Sequence, residues 1–159
     1  MDTRFTLIDL DPFSESSCAL LAASDAYLAA LYPPESNHLS SPDDLAKPNV
    51  RFLGIQADSR IVGCGAVKLM GPSNQRYGEI KRVFVLPEFR GHGLSKKLMM
   101  ALESHLVDQG IRISRLETGI HQPEALGLYR RLGYIERDVY GDYQPDPLSV
   151  FMEKDLDLR

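Results

Sequence analysis

The stretch Val83-Phe84-Val85-Leu86-Pro87-Glu88-Phe89-Arg90-Gly91-His92-Gly93-Leu94-Ser95-Lys96-Lys97 carries the most informative pattern in the chain. An apolar, strand-like run ends at Pro87, a turn with glycines at 91 and 93 follows, and a helical pattern begins at Leu94. Such a turn presents unpaired backbone N–H groups at the positive end of a helix dipole. We therefore expect it to bind a phosphate or pyrophosphate.

Positive charge is concentrated around this turn, although the chain as a whole is acidic. It has 159 residues, with 18 Lys+Arg against 22 Asp+Glu and a formal net charge of −4. Within residues 81–97, Glu88 is the one acid, and the cations are Lys81, Arg82, Arg90, Lys96 and Lys97. The expected ligand is a phosphorylated anion. The acidic balance argues against a nucleic-acid partner, because neutralising many phosphates requires a basic excess.

Length and composition are typical of a single globular domain covering 1–159. The chain is 43% hydrophobic and 25% charged, which excludes a disordered or fibrous protein. Two cysteines, Cys18 and Cys64, do not form a disulfide framework, and no apolar run is long enough for a signal peptide or a membrane span. We expect a cytoplasmic protein with reduced thiols and no membrane partner. Since His and Cys show no ligand spacing, no metal site is expected.

Hydrophobic periodicity predicts a mixed α/β layer protein with the order β-α-loop-β-β-β-α-β-α-β-β. The predicted strands are 4–10, 50–57, 61–70, 77–86, 111–118, 134–139 and 149–156. The first helix is capped by Ser14 or Ser16 and ends before Pro33, the second runs from Leu94 to Gly110, and a third covers 124–132. Residues 33–49, rich in proline, are predicted to form a long binding loop with a helical turn near 42–46.

Two nucleotide-binding motifs are excluded by their spacing. A Rossmann fingerprint requires a third glycine where Lys96 stands, and a P-loop requires a Gly-Lys-Ser/Thr tripeptide that the chain lacks. Taken alone, Gly91-x-Gly93 is also compatible with an ordinary loop before a surface helix. The order of the surrounding elements favours the phosphate-binding interpretation.

At these residues the chain resembles the GNAT superfamily of acetyl-CoA-dependent N-acetyltransferases over most of its length. The family's phosphate motif, Arg/Gln-x-x-Gly-x-Gly/Ala, is matched by Arg90-Gly91-His92-Gly93-Leu94-Ser95, with serine at the last position. Its second motif, Leu-Tyr-x-x-x-Gly-Phe, appears as Leu128-Tyr129-Arg130-Arg131-Leu132-Gly133-Tyr134. Gln122 stands where the family usually carries asparagine, seven residues before the tyrosine.

The resemblance implies a mainly antiparallel mixed sheet, flanked by helices, with a central pair of parallel strands that splay apart. Strand 79–86 would separate from strand 111–118 and open a slot for the pantetheine arm of acetyl-CoA. The implied cofactor-binding residues are Val83, Phe84, Val85, Arg90, Gly91, His92 through its backbone, Gly93, Leu94, Ser95, Lys96 or Lys97, Gln122 and Tyr129.

The resemblance also implies two catalytic groups. Tyr129 would protonate the leaving thiolate, and Glu79 occupies the position of the general-base glutamate of histone-acetylating relatives. A base is needed because an alkyl ammonium, with a pKa of about 10.4, is mostly protonated at neutral pH. The alternatives are a surface acid at a strand edge for Glu79 and a core aromatic for Tyr129, and His121 is a second candidate base.

Loops 32–38 and 140–147 are implied to border the acceptor. Glu35, Asp142 or Asp146 would hold a cationic amine beside Tyr143, whereas Arg82 or Lys81 would pair with an acceptor carboxylate. The resulting prediction is acetyl transfer to a primary amine of a small molecule by direct attack in a ternary complex. A CoA-binding sensor with little turnover and an enzyme acting on a protein amine are the alternatives, and a homodimer is left open.

Overall fold

The computed structural model describes residues 4–158. Its seven strands in this range are β1 (Phe5–Asp9), β2 (Val50–Ala57), β3 (Arg60–Met70), β4 (Tyr77–Val85), β5 (Ile113–Gly119), β6 (Ile135–Arg137) and β7 (Ser149–Asp155). Its α-helices are α1 (Glu15–Leu31), α2 (Pro42–Leu45), α3 (Leu94–Asp108) and α4 (Pro123–Arg131). No helix among these residues has the length and apolar content required to cross a lipid bilayer.

All seven strands form one sheet in the order β1-β2-β3-β4-β5-β7-β6. The β4–β5 pair is parallel and the other neighbours are antiparallel, so the predicted mixed sheet with a central parallel pair is confirmed. Ser14 caps α1 by accepting a hydrogen bond from the Ser17 N–H, as the sequence suggests. The prediction of strand 134–139 is wrong in extent, because β6 ends at Arg137 and the chain then turns to bury Tyr140.

The two parallel strands separate after only three paired positions. These pairs are Gly78 with Ser114, Glu79 with Arg115, and Ile80 with Leu116. Beyond them β4 follows β3 alone, and the β3–β4 register shifts between Cys64 and Ala66. Such a bulge bends a strand and increases its twist, and here it directs the end of β4 away from β5.

Arg82 lies in this irregular segment and adopts the left-handed region, with φ of 60°. That conformation costs a non-glycine residue about 1–2 kcal/mol. The side chain is 3% exposed, and its guanidinium donates from Nη1 to Asp25 Oδ1 at 2.7 Å and from Nη2 to the Leu21 carbonyl at 3.2 Å. Helix α1 therefore holds the bulge in place.

Apolar side chains cover both faces of the sheet. On one face α3 packs through Leu98, Met99, Leu102 and Leu106. On the other face α1 packs through Leu20 and Leu21 in a second cluster that includes Cys64 and Phe84. Burial raises the pKa of the Cys64 thiol to about 12, so this cysteine serves as a packing residue.

A buried polar network joins α3 to the sheet. Glu103 is 2% exposed, and its carboxylate accepts from Lys154 Nζ at 2.8 Å and from the Tyr134 hydroxyl at 2.9 Å. The Tyr134 hydroxyl also lies 2.7 Å from Ser114 Oγ. Because each buried group has a partner, the network fixes the position of α3 over β5 and β7.

Replacing Leu106 by alanine should lower the free energy of unfolding by about 2–5 kcal/mol. Leu106 is fully buried and packs against the backbone of Gly78, where β4 has no side chain. Val107→Ala is the matched control, because that neighbour is 43% exposed and should change stability by less than about 0.5 kcal/mol. Urea unfolding followed by circular dichroism measures both, and equal losses would contradict this packing.

Candidate active site

A cleft of about 490 Å³ lies between the separated ends of β4 and β5. It continues along the turn that follows β4 and is bordered by α4 and by loop residues 36–39. The structure brings most of the predicted cofactor-binding residues to its lining: Val83, Phe84, Val85, Arg90, Gly91, Gly93, Leu94, Ser95, Lys96, Gln122 and Tyr129. One continuous space thus connects the predicted phosphate turn with the predicted catalytic tyrosine.

The turn at the start of α3 has unpaired backbone N–H groups and two glycines in the left-handed region. Gly91 and Gly93 have φ of 87° and 71°, and a Cβ at either position would have no atom within 4 Å. In the part of the chain that the structure describes, no backbone N–H from Gly91 to Lys96 donates to a protein acceptor. Gly91 and residues 93–96 line the cleft at the positive end of a 15-residue helix, where a phosphate binds favourably.

The side chains around the turn have different partners. Lys96 lines the cleft, whereas Lys97 donates from Nζ to the Phe5 carbonyl at 3.0 Å. The His92 ring packs against the Phe5 ring at a centroid distance of 5.3 Å, so His92 can offer the cleft its backbone and not its ring. Lys96 is therefore the lysine placed to supplement the backbone donors.

Arg90 forms part of the cleft wall. Its Nε donates to the Val85 carbonyl at 3.2 Å, and its guanidinium lies 5.2 Å from the centre of the Tyr27 ring. These contacts hold the turn after β4 against α1. Arg90 also lines the cleft and so adds positive charge to its wall.

Tyr129 lies on α4 with 8% of its surface exposed, and it lines the cleft. Burial, reinforced by the negative charge of Glu117, raises its pKa to about 12. The phenol therefore keeps its proton at neutral pH and can donate it. Among the described residues, no protein group hydrogen-bonds this hydroxyl.

Glu117 lines the same cleft and was not singled out by the sequence analysis. It follows Leu116, the last β5 residue paired with β4, and so stands where the strands begin to separate. Burial raises its pKa to about 7, although Ser149 and Lys81 oppose the shift. Such a carboxyl is about half ionised at neutral pH, which suits a general base. The signal that the sequence offered was an acid between Leu116 and Thr118 in the predicted strand 111–118.

Glu79, the predicted general base, is placed differently. It is 5% exposed, which rules out the alternative of a surface acid at a strand edge. Its Oε2 accepts from the Tyr140 hydroxyl at 2.8 Å, and its Oε1 lies 3.8 Å from Lys81 Nζ. Glu79 does not line the cleft, whereas Lys81 and Glu117 do. Its carboxylate is therefore positioned to support Lys81.

The residues predicted to contact the acceptor separate into two groups. Tyr143 and Lys81 line the cleft, and Lys81 Nζ donates to the Tyr143 hydroxyl at 2.9 Å. Arg82 also lines the cleft, but its guanidinium donates to Asp25 and the Leu21 carbonyl of α1. Glu35 and Asp142 are exposed and do not line the cleft. The described residues contain no cluster of three or more His, Cys, Asp or Glu that could hold a metal ion.

Two loops meet over the part of the cleft that Ser36, His38 and Tyr143 line. Ser36 Oγ donates to Asp146 Oδ2 at 2.7 Å, and the His38 ring meets the Tyr143 ring edge-on at 5.0 Å. Asp146, a predicted amine-binding residue, is therefore part of this latch, and the hydrogen bond from Ser36 lowers its pKa. The latch joins the 33–49 loop to the loop before β7 and narrows access to the cleft.

Tyr32 joins the end of α1 to the turn between β5 and α4. Its hydroxyl accepts from the His121 N–H at 3.1 Å and donates to Gln122 Oε1 at 3.1 Å. Its ring stacks on the His121 ring and covers Gly119, where any Cβ would overlap the phenol. The His121 ring is therefore a packing partner of Tyr32, and Gln122 keeps its amide nitrogen for the cleft.

Comparison with known proteins identifies the same architecture. Residues 19–134 match the model of the acetyltransferase (GNAT) family. A protein named IAA acetyltransferase from Azospirillum brasilense is 40% identical over 151 residues, covering 95% of this chain and 97% of that protein. The structure of a proposed acyl-CoA N-acyltransferase from Klebsiella pneumoniae is 40% identical with a TM-score of 0.80, covering 96% of this chain and 97% of its own.

More distant structures share the fold. The PaiA N-acetyltransferase from Thermoplasma acidophilum, solved in complex with coenzyme A, has a TM-score of 0.76 at 21% identity and covers 96% of this chain and 99% of its own. A GNAT family acetyltransferase from Elizabethkingia anophelis with acetyl-CoA bound has a TM-score of 0.64 at 16% identity, covering 96% and 98%.

Gly93→Ala should weaken binding of coenzyme A by about tenfold or more, equivalent to ~1.4 kcal/mol. The added methyl group would occupy the open space that the anion enters. Gly110→Ala is the matched control, since Gly110 follows the other end of α3 with φ of 74° and equally open surroundings. Both variants should lose similar stability, about 1–2 kcal/mol. Isothermal titration calorimetry measures affinity, and equal weakening in both variants would contradict the assignment.

Glu117→Gln should become more stable relative to the wild type as pH rises from about 4.3 to 7. Below that window Glu117 is protonated in both folded and unfolded states. Within it the unfolded state releases the proton first, because the folded-state pKa is raised to about 7, and wild-type stability therefore falls. Urea unfolding at several pH values tests this. Exposed Glu35→Gln is the control, and a flat difference for Glu117→Gln would refute the raised pKa.

Proposed function

We propose that this chain, which belongs to the acetyltransferase (GNAT) family, transfers the acetyl group of acetyl-CoA to the primary amine of a small molecule. Acetyl-CoA supplies an activated acyl group as a thioester. One observation carries the proposal: a single cleft joins the anion-binding turn at 91–96 to a protonated phenol, Tyr129, and a titratable carboxyl, Glu117.

The residues present fit the cofactor. The N–H groups of Gly91 to Lys96, with the Lys96 ammonium, would hold the pyrophosphate. Beyond Ile80, the β5-facing backbone groups of β4 lack a strand partner and would hydrogen-bond the pantetheine amides. The Gln122 amide nitrogen lies further along the same cleft and would contribute one more donor.

Tyr129 would act as the general acid. Its phenol keeps its proton at neutral pH and lies at the junction of α4 and the separated strands, where it would donate to the leaving thiolate. Its burial against Tyr134, with ring centroids 6.0 Å apart, holds the ring in one orientation.

Glu117 would accept the proton that the acceptor amine must lose before it attacks. Its carboxyl lines the cleft and has a pKa of about 7, so it can take up and release a proton near neutral pH. Glu79 is the weaker candidate, because its carboxylate lies outside the lining and already accepts from Tyr140. We therefore propose Glu117, and not Glu79, as the general base.

A small acceptor is favoured over a protein tail by the latch between Ser36 and Asp146. Together with the contact of His38 and Tyr143, it brings two loops across the acceptor end of the cleft. An extended protein segment would require these loops to separate, whereas a small molecule fits beneath them.

Glu117→Gln should lower kcat/KM for a primary amine by about 10²–10⁴-fold at pH 7.5, with the Kd for acetyl-CoA unchanged. In the wild type, kcat/KM should rise with pH through an apparent pKa near 7, and this step should disappear in the variant. Release of free thiol from acetyl-CoA with a panel of amines measures the rate.

Glu79→Gln is the matched control and should keep the pH step while losing less activity. Loss of the step in Glu79→Gln alone would return the base role to Glu79. Tight binding of acetyl-CoA with no acceptor-dependent thiol release would instead support a CoA-binding sensor.

A further inference from the structure

We infer that the acceptor carries a carboxylate beside its amine, as a free amino acid does, and that Lys81 binds this carboxylate while Glu117 faces the amine. The inference rests on the proposed function, because it names the class of amine that the same cleft takes.

Lys81 and Glu117 face one another across the opening between the strands. The last paired positions are Ile80 on β4 and Leu116 on β5, so Lys81 and Glu117 are the next residues along the two strands. Both side chains line the cleft. They are also close enough for the lysine charge to lower the pKa of the glutamate against the effect of burial. A molecule held between the strands therefore meets a cation on one side and a carboxyl group on the other.

The surroundings of Lys81 leave it a donor for a ligand. Its side chain is 17% exposed and donates from Nζ to the Tyr143 hydroxyl at 2.9 Å. Glu79 Oε1 lies 3.8 Å away, beyond ordinary hydrogen-bond distance, and offers a compensating charge. An ammonium carries three N–H donors, so at least one can point into the cleft, where a carboxylate would form a charge-assisted hydrogen bond.

A simple amine does not explain this lysine. An acceptor with only an ammonium group would be repelled by the Lys81 charge, whereas a carboxylate on the acceptor would be attracted by it. Arg82, the neighbouring cation, has its guanidinium on α1 and does not substitute for it. An acceptor with both charges pairs its ammonium with Glu117 and its carboxylate with Lys81.

The test compares L-amino acids with the amines formed by removing their carboxyl groups, using acceptor-dependent thiol release from acetyl-CoA. The wild type should acetylate its best amino acid with kcat/KM about tenfold to a hundredfold above that of the matching amine. Lys81→Met should abolish this preference, by raising KM for the amino acid far more than KM for the matching amine. Lys81→Arg should retain part of the preference.

Lys47→Met, which changes an exposed lysine, is the control and should keep wild-type selectivity. Coenzyme A affinity of Lys81→Met should equal that of the wild type if the variant is folded. Equal rates on amino acids and amines in the wild type would overturn this inference and leave the proposed function intact. Equal loss on both substrates in Lys81→Met and Lys81→Arg would also overturn it. If acetyl-CoA binds but neither amino acids nor amines cause thiol release, the proposed function itself is wrong.

Discussion

The separation of β4 from β5 after Ile80 and Leu116 is the constraint on which the cleft depends. Continued pairing would fill the space with backbone hydrogen bonds and leave no room for a ligand. Arg82 prevents this by adopting a left-handed conformation, and the hydrogen bonds from its buried guanidinium to α1 offset the strain. Helix α1 thus contributes to the site indirectly, because its contacts with Arg82 hold β4 in its bent conformation.

The cations between 81 and 97 form a cluster in the sequence but not one surface in the molecule. Lys97 binds the Phe5 carbonyl, and Arg82 faces α1, so both serve the fold. Lys96 and Arg90 line the end of the cleft proposed to bind the phosphorylated cofactor, and Lys81 lines the end proposed to bind the acceptor. The charge in this segment is therefore divided between the fold and the proposed ligand sites.

The element order followed from sequence patterns and the central parallel pair from the family resemblance, whereas contacts between side chains distant in the chain could not be predicted. Apolar periodicity gave the element order, and the Arg90–Ser95 motif led to the turn with unpaired N–H groups, because both depend on residues close in the chain. The role of Glu117 was missed, since its raised pKa comes from burial that arises only in the folded protein. A surface position for Glu79 stayed open as the alternative to the base role for a similar reason: Tyr140, which hydrogen-bonds its carboxylate, is 61 residues away.

Tyr32 limits which residue can stand at position 119. Its ring occupies the volume that a side chain at position 119 would need, while its hydroxyl holds both His121 and Gln122. Gly119 is therefore fixed by sterics and not by its backbone angles. A side chain at position 119 would require a smaller residue at position 32, so the end of the first helix limits which residues the turn 90 residues later can carry.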